Sequence, residues 1–119
     1  MSEGEPALRE AIAAQARALG VPCEASQVLI VSGSQQTLDL ASKLFIDAGT
    51  EVLVEAPTYL AALQSFQLFG AQCLAVPQEA DGPDLAALRA TLEQRAPAFA
   101  YLIPTFQNPS AVRYSEAKR

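Results

Sequence analysis

Three short strings in this chain combine residue types that could hold a small, charged, planar ligand: SGSQQ at 32–36, EAPTY at 55–59 and PTFQNPS at 104–110. In the first, Gly33 permits a tight backbone turn, and the amides of Ser34 and Gln35 then open a helix, where unsatisfied N–H groups and the helix field favour a phosphate. A plain N-cap by Ser34 explains the same string, and the residues alone leave both readings open. Tyr59 follows Pro57 and Thr58 at the end of an apolar run, where its ring can either lie over a planar ligand or pack at the start of a helix. Asn108 precedes Pro109, which turns its backbone away from helix and presents an amide that both donates and accepts. An asparagine so placed can also bond merely to its own backbone.

The other polar candidates read as structural. Glu55 could act as a base or an orienting acceptor, but a structural hydrogen-bonding or surface role is the favoured reading. Lys43 and Lys118 read as solvated side chains, neither a convincing amine nucleophile, so no residue of the chain is assigned a catalytic role. The chain has no histidine, and its two cysteines, Cys23 and Cys73, lie outside any CxxC pair. That composition predicts free thiols and no metal site, and it removes Ser-His-Asp and Cys-His nucleophile systems within these residues. Asp81-Gly82 reads as a turn without metal-loop spacing behind it.

Alternating helical and strand periods supply a scaffold for these loops. Apolar residues at 8, 12, 16 and 19 predict a helix from Glu5 to Leu19, with Pro6 in its first turn and Gly20 beyond its end. Val28–Val31 predicts a buried strand entering the turn at Gly33. A helix follows from Gln35 to Ile46, with Leu38, Ala41, Leu44 and Phe45 on one face. Next come a strand at Val52–Glu55, a helix burying Leu60, Leu63, Phe66 and Leu68 or Phe69, and a strand at Cys73–Val76. A polar turn then leads to a helix capped by Asp84 that buries Leu85, Leu88 and Leu92, and Phe99–Ile103 forms the last strand. YSEAKR at 114–119 reads as the start of a further helix. Strands alternating with helices predict the α/β class, with right-handed crossovers over a mostly parallel sheet covered on both faces. Ligands in such folds gather beyond the carboxyl ends of strands, where all three strings fall.

With 119 residues, a 50% hydrophobic share and 18% charged residues, the chain fits one globular domain. Eight basic against thirteen acidic residues give a net charge of -5, and no basic run is present, which argues against nucleic acid as a partner of this segment. No apolar run of about 18 residues is present to cross a membrane, and no secretory pattern follows Met1. The predicted compartment is the cytoplasm.

The string VSGSQQTLDLASKLFIDAGTEVLVEAPTYLAALQSFQLFGA, followed by YLIPTFQNPS, resembles the fold-type I pyridoxal-phosphate-dependent aminotransferases, most closely their 2-aminoadipate (LysN-like) branch. The likeness runs from Pro6 to the end of the chain. It implies a partial three-layer αβα large domain, with 1–119 an incomplete PLP-binding domain truncated at both ends relative to the family. It also implies pyridoxal 5'-phosphate as cofactor. By that resemblance the backbone at Gly33, Ser34 and Gln35 holds the phosphate, Tyr59 stacks on the pyridine ring, and Asn108 bonds to the ring's phenolic oxygen. A complete protein of this kind is a homodimeric transaminase that moves an amino group from an α-amino acid to a 2-oxo acid.

The resemblance carries further expectations. The family's cofactor-bearing lysine comes well after the asparagine loop, so these 119 residues alone are expected to be inactive. The strand matching Val28–Val31 is joined to its neighbours in the family through later strands, and is expected to lack partners here. The family usually has glycine where this chain has Ala111, whose methyl group would strain the turn if it needs positive φ. The same domain type serves as the sensor of MocR-type transcription regulators. That sensor, or an inactive truncated gene product, is the alternative to an enzyme segment.

Overall fold

The computed structural model describes residues 2–119, in two compact units that divide between Thr37 and Leu38. The first unit holds α1 (Pro6–Ala18), a 3-10 turn (Ala25–Gln27) and the opening turn of α2 (Ser34–Phe45). Pro6 stands in the first turn of α1, where its missing N–H costs nothing. The face predicted to point inward is not the covered one: Leu8, Ile12 and Leu19 are exposed, and Ala13 is the buried residue of the helix. The polar edge of α1 makes the contact instead, because Arg9 donates from Nε to the Val28 carbonyl at 2.8 Å and from Nη2 to the Ala25 carbonyl at 2.7 Å.

Val28–Val31 forms no strand. Val28 is extended, and the Ile30 amide donates to the Glu3 carbonyl at 3.0 Å. Among the described residues no neighbouring strand takes up the remaining backbone groups of this segment, and an extended segment without a ladder is not a strand.

The second unit contains the rest of α2, then β1 (Glu51–Ala56), α3 (Leu60–Leu68), β2 (Gln72–Glu79), β3 (Gly82–Pro83), α4 (Leu85–Gln94), β4 (Phe99–Tyr101) and a closing 3-10 turn (Glu116–Lys118). The sheet order is β3-β2-β1-β4. Both β2 and β4 run parallel to β1, with Val54 opposite Ala75 on one side and Tyr101 on the other. This is the mostly parallel α/β sheet that the alternation predicts. The polar turn after β2 adds an antiparallel strand that the sequence pattern does not reveal: Gly82, at φ +136°, lets the chain fold back so that it pairs with Glu79.

Alternation along β1 decides the core. Val52 and Val54 face Leu38, Ile46, Ala62 and Phe66, while Cys73, Phe99 and Tyr101 pack around that cluster. The Phe66 ring meets Phe99 and Tyr101 edge-on at 5.5 and 5.7 Å. Leu53 and Glu55 point to the opposite face, and both are buried.

The helices bury narrower stripes than periodicity suggests. In α2 the covered residues are Leu38 and Ser42, whereas Leu44 and Phe45 are exposed. Ser42 is tolerated inside because its hydroxyl donates to the Leu38 carbonyl at 2.8 Å. In α3, Ala62 and Phe66 are buried while Leu60 and Leu68 are exposed. The N-cap of α4 forms as predicted, Asp84 accepting from Ala86 N at 2.9 Å and Ala87 N at 3.0 Å. That helix buries no residue, however, and Leu85 and Leu92 are exposed because no described element lies over them. YSEAKR makes only the short closing turn, ahead of which Tyr114 is buried. No helix among the described residues is long and apolar enough to cross a membrane.

Candidate functional site

At the start of α2, Gly33 has φ +102°, and its carbonyl accepts from the Thr37 amide at 3.4 Å. Gly33 therefore takes the cap position, and Ser34 is the first helical residue rather than a hydroxyl cap. The entry is fixed from inside the helix, where Gln36 Oε1 accepts from the Ser32 amide at 2.6 Å. The amides of Ser34, Gln35 and Gln36 have no protein acceptor among the described residues, and open space surrounds the position a Gly33 side chain would occupy. An uncapped, exposed helix N-terminus of this kind suits an anion with several oxygens.

Tyr59 and Asn108 belong to the second unit, on chain leaving the carboxyl ends of the parallel neighbours β1 and β4. Tyr59 is the N-cap residue of α3, in extended conformation, half-buried against the cluster around Phe66. Thr58 beside it is buried, and its hydroxyl has no partner among the described residues. Asn108 is exposed, and its side-chain amide makes no hydrogen bond within the described protein, so the local backbone bond it could have made is not formed. The peptide bonds Ala56–Pro57 and Asn108–Pro109 are both cis.

What ties the two loops together is Gln107, which the sequence does not single out. Its side chain is 1% exposed; Nε2 donates to the Pro57 carbonyl at 2.6 Å, and Oε1 accepts from the Ser110 amide at 2.9 Å. The Ser110 hydroxyl lies 2.6 Å from the side-chain oxygens of both Gln107 and Gln78, and its single proton serves one at a time. Gln78 in turn donates to Glu55 Oε1 at 2.9 Å. A glutamine in a proline-punctuated loop has no periodicity, so its burial leaves no mark on the hydrophobic pattern.

Glu55 holds the structural role the residues favour. It accepts from the Tyr114 hydroxyl, from Gln78, and through Oε2 from the Ile103 amide at 3.0 Å. Burial first, and the Glu55 carboxylate second, push the Tyr114 phenol well above its ordinary value. Burial also raises the Tyr101 phenol, with smaller contributions from Tyr59 and Glu55. Ala111, at φ +61°, sits in the left-handed region that its methyl group disfavours.

Lys43 is exposed and pairs with Asp39 at 2.6 Å, as a solvated side chain would. Lys118 departs from that expectation: its side chain is largely covered, and it bonds both Glu79 and, at 2.9 Å, Asp81. Both amines are engaged by carboxylates. The two thiols are free, and burial raises that of Cys73.

Residues 1–118 match the family described as aminotransferase class I and II. The chain belongs to that family. Among curated aminotransferases, 2-aminoadipate transaminase of Thermus thermophilus is 54% identical over 84 residues, a stretch covering 71% of this chain and 21% of that protein. The crystal structure of LysN, an α-aminoadipate aminotransferase from the same organism complexed with N-(5'-phosphopyridoxyl)-L-leucine, superposes with a TM-score of 0.87 at 45% identity. It covers 98% of this chain and 29% of that one. An uncharacterised HTH-type transcriptional regulator of Bacillus subtilis (strain 168) is 32% identical over 112 residues, 94% of this chain and 23% of the regulator. The chain thus spans about a fifth to a quarter of the curated relatives it matches and has the fold of part of the fold-type I large domain.

Proposed function

We propose that this chain is the cofactor-binding segment of a pyridoxal-phosphate-dependent aminotransferase, which moves an amino group from an α-amino acid to a 2-oxo acid. The observation that carries this reading is a helix opened by Gly33 whose amides at Ser34, Gln35 and Gln36 have no protein acceptor among the described residues, in a chain of the class I and II family. Such an N-terminus fits a phosphate, and the unpartnered Asn108 amide fits an oxygen acceptor or donor on a planar ring. The backbone at Gly33, Ser34 and Gln35 would hold the phosphate, Tyr59 would stack on the pyridine ring, and Asn108 would bond to the phenolic oxygen. When bound, the cofactor supplies an electron sink for charge developing at the substrate α-carbon.

The residues present bind and orient; none is assigned the proton transfer. Lys43 and Lys118 are each held by carboxylates, so neither serves as the amine that carries the cofactor. Residues 1–119 read as part of one PLP-binding large domain of a cytoplasmic homodimer, with no nucleic acid bound by this segment. Likeness to the 2-aminoadipate transaminase supports the transaminase activity. A complete polypeptide carrying this segment is expected to transfer amino groups to 2-oxoglutarate in a PLP-dependent reaction, and the 119 residues alone to bind PLP without transfer. A complete, folded, PLP-bound polypeptide that transfers no amino group from any α-amino acid contradicts the proposal.

A second reading is a sensor domain of a MocR-type regulator, favoured by the 32% likeness to the HTH-type regulator. It predicts that PLP changes operator binding by the complete protein; PLP-independent DNA binding contradicts it.

A further inference from the structure

Gln107 is among the largest fully buried side chains of the protein. A buried amide is costly unless its donor and acceptor are both satisfied, and a leucine would fill similar space without that demand. Here both ends are used, and by partners that fix the orientation of the amide. The Pro57 carbonyl can only accept, at 2.6 Å from Nε2, and the Ser110 amide can only donate, at 2.9 Å from Oε1. Pro57 lies two residues before Tyr59, and Gln107 directly precedes Asn108. One buried side chain therefore spans the two turns that present the ring-facing candidates.

The turn that carries Asn108 also closes on Gln107. The Gln107 amide donates to the Val112 carbonyl at 2.9 Å, and the Ala111 amide donates to the Gln107 carbonyl at 2.6 Å. Two residues of this turn, Phe106 at φ +51° and Ala111 at φ +61°, occupy the left-handed region, and Phe106 is exposed. Such backbone persists where surrounding contacts over-determine it. Asn108 itself has no hydrogen bond within the described protein, so nothing in its own side chain fixes where its amide sits.

We propose that Gln107 is a positioning residue: by bridging Pro57 and Ser110 it sets the Asn108 turn against the Tyr59 turn, so that amide and ring meet the cofactor at one fixed spacing. The inference rests on the cofactor reading above. Gln107 touches no cofactor atom in this role; it acts through Asn108.

The test is a double-mutant cycle on PLP binding by the chain, read from the absorption of the bound cofactor, with far-UV circular dichroism alongside. Gln107→Leu is expected to weaken binding about tenfold in the wild-type background, the scale of one hydrogen bond lost at Asn108. With Asn108→Ala already in place it is expected to cost less than about twofold, because the group it positions is gone. A Gln107→Leu chain that loses its dichroism is replaced by Ser110→Ala, which removes the hydroxyl shared by Gln107 and Gln78 while keeping the Ser110 amide on Gln107, and is expected to show the same non-additivity at about threefold. Equal weakening in both backgrounds, or no weakening by either substitution in a chain that binds PLP, overturns the positioning role alone. Failure of the folded wild-type chain to bind PLP overturns the cofactor reading and this inference with it.

Discussion

At the scale of single residues, the candidates legible in the sequence are those with unusual neighbours. Gly33 before a helical period, Tyr59 after a proline and Asn108 before one all announce themselves by local chemistry. Gln107, Gln78, Ser110 and Tyr114 do not, because their partners come from other parts of the chain; Tyr114 and Glu55 are 59 residues apart. Ala111 is legible as a question, and the structure answers it with φ +61°. Ala111→Gly is expected to stabilise the chain by about 0.5–1 kcal/mol, the relief of a left-handed alanine less the entropy glycine adds to the unfolded chain; urea unfolding checks the sign. Tyr114→Phe is expected to destabilise by about 1–3 kcal/mol, since it withdraws a donor from a buried carboxylate.

Tyr114 also makes a pH prediction. Its folded phenol lies above the ordinary value of 10.0, so the unfolded chain loses that proton first. The stability this provides is fully present below the unfolded value and declines as pH rises beyond it, toward the folded value. Denaturant midpoints of the wild type are expected to fall above pH 10 more steeply than those of Tyr114→Phe; parallel curves contradict this assignment.

At the scale of elements, periodicity finds the helices and three of the four strands, because the alternation of apolar residues is imposed by β1, β2 and β4 themselves. It misjudges which faces are covered. A helix period shows that a stripe exists, but whether Leu8, Leu44 or Leu92 is buried depends on whether another element lies over it. It also makes a strand of Val28–Val31, whose apolar run is real but which has no ladder beside it among the described residues. The Asp81-Gly82 pair does turn the chain, while the two-residue strand at Gly82–Pro83 is too short to leave a period. Caps are local and so are legible: Asp84→Ala is expected to cost about 1 kcal/mol by removing the acceptor for Ala86 and Ala87, with helix content following in far-UV dichroism.

At the scale of the whole molecule, the order of the strings SGSQQ, EAPTY and FQNPS carries the family more clearly than any one of them does. The parallel order β2-β1-β4 explains why, for two of them, separated strings work on one edge: β1 and β4 are neighbours, so the loops leaving their carboxyl ends can be joined by Gln107. The role proposed for these strings is to bind pyridoxal phosphate. It is tested most directly by titrating the folded chain with that cofactor, beside Gly33→Ala, Tyr59→Ala and Asn108→Ala, and recording saturation and circular dichroism together. Saturable binding is expected, weakened several-fold by loss of the ring stack and about tenfold by loss of the amide bond with the fold retained, while Gly33→Ala strains a residue at φ +102° and weakens binding together with the opening turn of α2. A folded chain that shows no saturable binding, or binding indifferent to all three substitutions, contradicts it.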